Sequence, residues 1–258
     1  MKVSQPRNRE ASMYGYRARI GYTSPMAATE TFPYEFYRMA PAGVTLVLST
    51  LAVLERSRDE VDRSYDMSLR AARELARVGV DVLVLGGVPI NLSRGSDVAG
   101  LIGEVEHDIG VPVVTSITAQ LDALRRLQAR RVGIVHPFTA DQDAKFASYL
   151  EPHGFERLAV LGGGHAGPEV GRVPRDRVRH LARQLLEREP DLDTLWLPCP
   201  HWAVAESLDP IEQELGVGVV GALQAILWQA LRRCGVNDAI PGHGRLLRDD
   251  PAAAGENQ

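Results

Sequence analysis

The sequence predicts an α/β protein built from two similar lobes, each with a four-stranded parallel sheet. Short apolar runs alternate with helical segments along the chain, which is typical of parallel strands joined by right-handed helical crossovers. Strands such as 82–85 are unbroken apolar runs rather than alternating patterns. Such runs are expected where helices cover both faces of a sheet.

An internal repeat divides the chain into the two halves. Segments 19–25 and 81–87 recur as 131–137 and 193–199, because 131 − 19 and 199 − 87 both equal 112. The repeat places Gly87 at the position that matches Cys199. We therefore expect two Rossmann-like lobes related by a pseudo-twofold axis, with the site in the cleft between them. The expected boundaries are a loose N-terminal tail at 1–17, a first lobe at 18–116 plus about 222–258, and a second lobe at 117–221.

Apolar spacing sets the individual elements. In the first half it predicts strands at 19–23, 44–49, 82–85 and 111–114, and helices at 31–39, 56–78 and 98–109. In the second half it predicts strands at 132–135, 158–161, 195–197 and 217–220, and helices at 119–128, 144–151, 175–188, 211–215 and 222–233. Gly79 is expected to end the long helix in a left-handed conformation. The glycine run 162–164 predicts a mobile loop lining the cleft, with a plain turn as an equal alternative.

Composition excludes several function classes. The net charge of −4 gives no electrostatic case for nucleic-acid binding. No apolar run approaches the roughly 18 residues of a membrane span, and the polar N-terminus does not resemble a signal peptide. Two cysteines argue against a disulfide framework and for a reducing compartment. We expect a cytoplasmic protein without nucleic-acid or membrane partners, and the sequence leaves open whether it forms a homo-oligomer.

Cys199 is the main candidate for chemistry. It follows a predicted strand between two prolines, in a turn expected to lead into a helix N-terminus, where the helix dipole lowers the pKa of a thiol. The alternative is a buried structural thiol, since cysteine is among the most buried residues. Cys234, at the end of a predicted helix, is expected to be structural.

Other residues at strand ends are weaker candidates. His201 can tune the Cys199 thiol, or its ring can be satisfied by the backbone of the turn, and His136 can reach the cleft from the matching loop. No histidine or cysteine pair has metal-ligand spacing, so no metal is expected. Phosphate-loop, dinucleotide and serine-hydrolase motifs are also absent from the sequence.

These motifs resemble the Asp/Glu racemase superfamily, and within it the branch of arylmalonate decarboxylases and maleate cis–trans isomerases. The resemblance is carried by 19–21 with Pro25, 87–95, 111–113, 131–133, Cys199 and 241–246. It implies cofactor-free decarboxylation of a small malonate-type carboxylic acid. The enediolate left by loss of CO₂ would be protonated by Cys199, the single thiol that this arrangement keeps.

The resemblance also implies a substrate site, from which this sequence departs in part. The candidate substrate-binding residues are Pro25, Gly87, Val88, Pro89, Pro137, Phe138, Thr139, Pro200 and His201. Val88 and Pro89 replace two hydroxyl donors of the decarboxylase, Phe138 replaces a tyrosine, and Pro200 and His201 replace two glycines. An oxyanion cradle must then come from other groups, for which the candidates are Ser24, Thr29, Asn91, Thr139, His201 and backbone N–H groups.

Two alternatives stay open at this point. One is a maleate isomerase or an Asp/Glu racemase-type isomerase, which normally uses a second thiol. The other is a non-catalytic protein that binds a small acid in the same cleft.

Overall fold

The computed structural model describes residues 10–53 and 57–249, and these residues form two four-stranded parallel sheets with helices. The first sheet has the order β2-β1-β3-β4 and the second β6-β5-β7-β8. The strands are β1 Ala18–Met26, β2 Val44–Val53, β3 Val82–Leu85, β4 Val113–Thr115, β5 Arg131–Phe138, β6 Arg157–His165, β7 Thr194–Leu197 and β8 Gly218–Gly221. The predicted α/β class and the two four-stranded sheets are confirmed.

The helices within the described residues connect these strands. They are α1 Thr31–Met39, α2 Arg58–Val78, α3 Val88–Asn91, α4 Val98–Ile109, α5 Ser116–Arg126, α6 Asp143–Ser148, α7 Arg177–Arg188, α8 Leu208–Leu215, α9 Ala222–Arg233 and α10 Arg245–Arg248. Short 3-10 helices lie at Ala140–Gln142, Glu151–His153, Gly167–Arg172 and Ala205–Ser207. None of the helices in 10–53 and 57–249 is long and apolar enough to cross a bilayer.

Contacts divide the described chain into two compact units. The first contains residues 10–29, 40–53, 57–119 and 226–238, and the second contains 30–39, 120–225 and 239–249. Helix α1 lies between β1 and β2 in sequence but belongs to the second unit, as does the segment after residue 238. The sequence-based lobe boundaries, which assign both segments to the first lobe, stay a prediction.

In the first unit, α2 and α4 cover the first sheet. The buried cluster there consists of Ala72, Leu75, Val80, Leu83, Leu85, Val105 and Val113. Helix α2 is capped at its start by Ser57, whose side chain accepts the Glu60 N–H, and it ends at Gly79 with φ 87°. The left-handed Gly79 is confirmed. The predicted start of this helix at Arg56 lies outside the described residues.

In the second unit, Gly133 packs closely against leucine side chains. A Cβ atom there would lie 2.7 Å from a methyl carbon of Leu195 and 2.9 Å from one of Leu192, so these methyl groups would have to shift. Trp196 of β7 is fully buried, and its indole N–H donates to Gln120 Oε1 at 2.8 Å. The indole therefore keeps a hydrogen-bond partner in the core, as buried tryptophans usually do.

The first strands of the two sheets share an irregularity that the sequence analysis missed. The pairing register shifts between Ser24 and Met26 in β1, and between His136 and Phe138 in β5. The intervening residues are Pro25 and Pro137, which were expected to begin loops. Proline has no N–H for the ladder and is tolerated in a sheet at such bulges, so both strands continue past the expected ends.

The expectation of a mobile loop or turn at 162–164 is wrong. These glycines belong to β6, and Gly162 pairs with His136 of β5. A Cβ atom at Gly162 would lie 2.8 Å from the Phe138 carbonyl oxygen. Glycine is required there because the two backbones approach closely beside the β5 bulge.

Candidate functional site

The carboxyl ends of β1 and β3 bring Pro25 and Gly87 into contact within the first unit. Gly87 has φ 84° and precedes α3, a short helix that the sequence analysis missed. A Cβ atom built on Gly87 would lie 3.2 Å from both Cβ and Cγ of Pro25. Val88 is buried in the first turn of α3, and half-buried Pro89 occupies an early helical position that suits proline.

The backbone amides beside this contact are already bonded. The Gly86 N–H donates to the carbonyl and to the hydroxyl of Thr23, each at 3.1 Å, and the Gly87 N–H donates to Ser116 Oγ at 3.1 Å. These two amides therefore do not supply the oxyanion donors that the sequence analysis sought among backbone groups.

Two buried polar side chains near this edge keep an unsatisfied atom. Ser24 is fully buried and Asn91 is 4% exposed. Within the described part of the chain, Ser24 Oγ and Asn91 Oδ1 have no hydrogen-bond partner. Buried polar atoms are rarely left this way, so these two atoms are candidates to meet a bound ligand.

The hydrogen bond made by the Asn91 amide nitrogen shows which atom of this side chain lacks a partner. Its Nδ2 donates to the Leu85 carbonyl oxygen at 3.2 Å, which leaves Oδ1 as the unsatisfied atom. An amide oxygen accepts hydrogen bonds and cannot stabilise negative charge. Of the two unsatisfied atoms, the Ser24 hydroxyl oxygen is thus the one able to donate to an oxyanion.

Cys199 lies just after β7 in the second unit. It is 6% exposed, and its carbonyl accepts the Trp202 N–H at 3.4 Å, which closes a turn through Pro200 and His201. The helix that was expected to follow this turn begins several residues later than the turn itself. The next helical residues are the 3-10 turn Ala205–Ser207 and then α8 from Leu208, so Cys199 does not stand at the first turn of the helix that follows it in the chain.

His201 packs against an aromatic ring of α1. It is 7% exposed, and its ring centroid lies 5.8 Å from that of Phe32. This contact fixes the turn after Cys199 against α1. The role of His201 in tuning the thiol stays a prediction.

His136 and Phe138 belong to an aromatic cluster in the second unit. His136 is fully buried, its Nε2 lies 2.8 Å from Asp143 Oδ1, and its ring stacks on Phe146 at 4.4 Å. The ring of Phe138 also stacks on the Phe146 ring, with the two ring centroids 5.9 Å apart. His136 is thus engaged both by a carboxylate and by ring stacking, which supports a structural role for this histidine.

The neighbouring predicted residues Pro137 and Thr139 differ in exposure. Pro137 is buried in β5, whereas Thr139 is exposed and starts the 3-10 turn Ala140–Gln142. The Thr139 side chain hydrogen-bonds the Asp141 carboxylate and is the main cause of the lowered pKa of that group. Its hydroxyl is therefore already used locally.

Sequence analysis missed Glu35, the buried carboxylate of α1. Glu35 is 3% exposed and accepts the N–H groups of Val204 and Ala205 at 3.1 and 2.9 Å. Burial raises the pKa of Glu35, although the two N–H donors oppose the shift. The available signal was its position, since Phe32, Glu35, Phe36 and Met39 form one buried helical stripe.

No metal centre is visible within residues 10–53 and 57–249. No group of three or more His, Cys, Asp or Glu side chains there is arranged to hold a metal ion.

Comparison with known proteins gives the family. A family model described as arylmalonate decarboxylase matches residues 20–247. The chain therefore belongs to the arylmalonate decarboxylase family, which confirms the resemblance drawn from its motifs.

Individual relatives include two kinds of enzyme. Arylmalonate decarboxylase of Bordetella bronchiseptica is 29% identical over 231 residues, which cover 88% of this chain and 95% of that protein. A crystal structure of arylmalonate decarboxylase in the liganded form, with one glycine-to-cysteine and one cysteine-to-serine substitution, is 27% identical. It covers 90% of this chain and 100% of that chain with a TM-score of 0.82.

The third relative is an isomerase. The structure of a cysteine-to-serine mutant of Nocardia farcinica maleate cis–trans isomerase holds a covalently bound succinylcysteine intermediate. It is 25% identical, covers 90% of this chain and 99% of that chain, and has a TM-score of 0.80. Decarboxylases and isomerases thus both occur among the relatives.

Proposed function

We propose that this protein is a cofactor-independent decarboxylase of a malonate-type carboxylic acid and that Cys199 is its proton donor. The observation that carries the proposal is the pair of residues at matching repeat positions, a cysteine at 199 and a glycine at 87. Family membership over nearly the whole chain and the likeness to arylmalonate decarboxylase support it.

The proposed reaction needs one acid and one stabilised oxyanion. The bond between the α-carbon and one carboxylate breaks, CO₂ leaves, and the electron pair remains on the α-carbon as an enediolate. The Cys199 S–H then gives its proton to that carbon, and the thiolate regains a proton from water. General acid catalysis and preorganised donors for the developing negative charge supply the rate enhancement.

Each group in this proposal has a separate role. Cys199 is the acid, and Pro200 and His201 shape its turn. Gly87 borders the substrate without adding a second acid–base group, and Ser24 is the hydroxyl donor to the retained carboxylate. The apolar side chains of Val88 and Pro89 provide surroundings in which a charged carboxylate is disfavoured, so its loss as neutral CO₂ is assisted.

A maleate isomerase is the second candidate, favoured by the succinylcysteine in the N. farcinica mutant structure. That chemistry requires a thiolate that attacks carbon. The present chain has two cysteines, and Cys234 follows the end of α9 in the first unit with 3% exposure. With glycine at 87, the chain has no partner thiol at the repeat position, which favours decarboxylation.

The test uses disubstituted malonates, maleate and α-amino acids as substrates in D₂O. We expect CO₂ release from a malonate with one deuterium on the α-carbon of the product, and no double-bond isomerisation of maleate. Cys199→Ser should lower turnover about 10²- to 10⁴-fold, the usual contribution of a general acid. The matched thiol control, Cys234→Ser, should retain turnover. Isomerisation without CO₂ release would establish the second candidate, and full turnover by Cys199→Ser would refute the role of the thiol.

A non-catalytic binder is distinguished by the same assay. It would show ligand-dependent thermal stabilisation with malonates and no chemical change in any substrate.

A further inference from the structure

A carboxylate from α1 holds the chain segment that follows Cys199. The two oxygens of Glu35 accept the N–H groups of two consecutive residues, Oε2 from Val204 and Oε1 from Ala205. Glu35 is 3% exposed, so water does not compete freely for these bonds. All of these groups belong to the second unit.

The segment has no local means of satisfying those amides. Ala205–Ser207 is a 3-10 turn that continues into α8, and the N-cap residue Val204 has no side chain able to accept a hydrogen bond. The preferred capping residues are Ser, Thr, Asp and Asn, whereas the sequence at 203–205 is Ala-Val-Ala. Glu35 thus acts as an N-cap supplied from a distant part of the chain.

Further contacts tie α1 to the same segment. Phe32 packs on the ring of His201, and the Arg38 guanidinium pairs with Glu206 at 2.8 Å. The His243 ring bridges the carbonyl oxygens of Ala205 and Arg38 at 3.3 and 3.2 Å. The stretch from 201 to 206 is therefore anchored to α1 at several points, and Glu35 is the least exposed of the polar anchors.

From these contacts we infer that Glu35 is a positioning residue for Cys199, fixing the turn 199–205 so that the thiol keeps one location. This inference rests on the proposed function in naming Cys199 as the reacting group. Removing one carboxylate oxygen leaves a buried amide without an acceptor, which favours local opening of the turn. Glu35 touches neither substrate nor thiol in this role and acts through the backbone.

The experiment compares Glu35→Gln with Glu212→Gln. Glu212 is the matched control because it is also buried and also accepts two backbone N–H groups, those of Val219 and Arg245. It lies on α8, and its contacts hold β8 and α10 instead of the cysteine turn. Each cysteine is labelled with iodoacetamide in native buffer and in low concentrations of urea. The rate of labelling at each site is measured by peptide mass spectrometry. Turnover of the best malonate is measured in parallel.

We expect Glu35→Gln to label Cys199 at least tenfold faster than the parent chain, with little dependence on urea, because only the turn opens. Cys234 in that variant, and both cysteines in Glu212→Gln, should keep the parental rates in native buffer. If the parent decarboxylates a malonate, Glu35→Gln should lower kcat more than it changes KM. Parental labelling of Cys199 in Glu35→Gln would overturn the inference. Equal acceleration at both cysteines with steep urea dependence would also overturn it, since that is global unfolding.

Failure of this inference can be distinguished from failure of the proposed function and from misfolding of the variant. Labelling does not require turnover, so a parent chain that decarboxylates nothing still reports on the turn. If Glu35→Gln fails to fold, hydrogen exchange of segment 200–207 in the unmodified protein decides. Protected Val204 and Ala205 amides support the inference, and exchange at the rates of an unstructured peptide refutes it.

Discussion

Gly87 lies against Pro25, so that a Cβ atom at residue 87 would stand 3.2 Å from Cβ and from Cγ of the proline ring. The backbone of Gly87 has φ 84° and ψ 104°, a combination that side-chain-bearing residues rarely adopt. Glycine at this position is therefore a requirement of the local structure as well as a feature of the proposed site. A second thiol there would have to overcome strain and crowding together.

Replacement of Gly87 separates strain from chemistry. Gly87→Cys and Gly87→Ala should both lower the free energy of unfolding by about 1–3 kcal/mol, the usual cost of a strained backbone conformation, measured by urea denaturation. Gly87→Cys alone should also racemise a chiral product that has an α-proton, because it adds a second acid–base group. Retained optical purity in a folded Gly87→Cys enzyme would contradict the proposed placement of residue 87 at the reacting carbon.

Removal of a buried hydroxyl that makes a hydrogen bond should lower stability more than removal of one that makes none. Ser24→Ala should change the unfolding free energy by less than about 0.5 kcal/mol, since Ser24 Oγ makes no hydrogen bond to a described residue. It should nevertheless lower kcat/KM about tenfold or more, as expected for loss of one donor to a carboxylate. Thr23→Val is the comparison, because Thr23 Oγ1 accepts the Gly86 N–H. It should cost about 1 kcal/mol of stability, and an unchanged kcat/KM in Ser24→Ala would refute the donor role.

The His136–Asp143 contact should contribute to the stability of the fold and should not affect the reactivity of the Cys199 thiol. Asp143→Ala removes the partner of a fully buried ring nitrogen, and we expect a loss of about 1–3 kcal/mol in unfolding free energy. The rate of Cys199 labelling in native buffer should stay at the parental value. A selective change in that rate would instead connect His136 to the chemistry.

Two carboxylates should give opposite dependence of stability on pH. The pKa of Glu35 is raised by burial, so the native state holds this proton more tightly than the unfolded chain does. The stability that Glu35 contributes is fully present below about pH 4.3, the pKa of a glutamate in the unfolded chain. It is lost as pH rises through the higher pKa of the native state. The stability advantage of the parent over Glu35→Gln should accordingly decrease as pH rises above about 4, as measured by urea denaturation at several pH values.

Asp238 provides the contrast. Its pKa is lowered chiefly by the hydrogen bond from Arg17, which pairs with it at 2.5 Å. The resulting stability is present above the unfolded value of about 3.9 and is lost as pH falls through the lower native pKa. The advantage of the parent over Asp238→Asn should decrease as pH falls, and should stay within about 1 kcal/mol because both side chains are about one-third exposed. The same sign for both variants would contradict the assignment.

Local patterns were sufficient for most of the fold. The helix 98–109 and the strand 82–85 were predicted with the bounds that the structure shows, and Gly79 ends α2 as expected. These elements depend on periodicity and capping between residues close in sequence. The glycines at 162–164 were misassigned because glycine favours loops locally, whereas here it permits two paired backbones to approach closely.

The sequence by itself determined the two-sheet α/β class and the internal repeat, in which Cys199 occupies the position that corresponds to Gly87. The tertiary structure alone decided that Pro25 and Pro137 lie at strand bulges and that α1 joins the second unit, where Glu35 caps the segment after Cys199. The physical reason is the sequence separation of the residues that interact. Apolar spacing encodes which face of an element is buried, but a buried carboxylate can satisfy backbone amides about 170 residues away in the chain, and no local pattern records that partner.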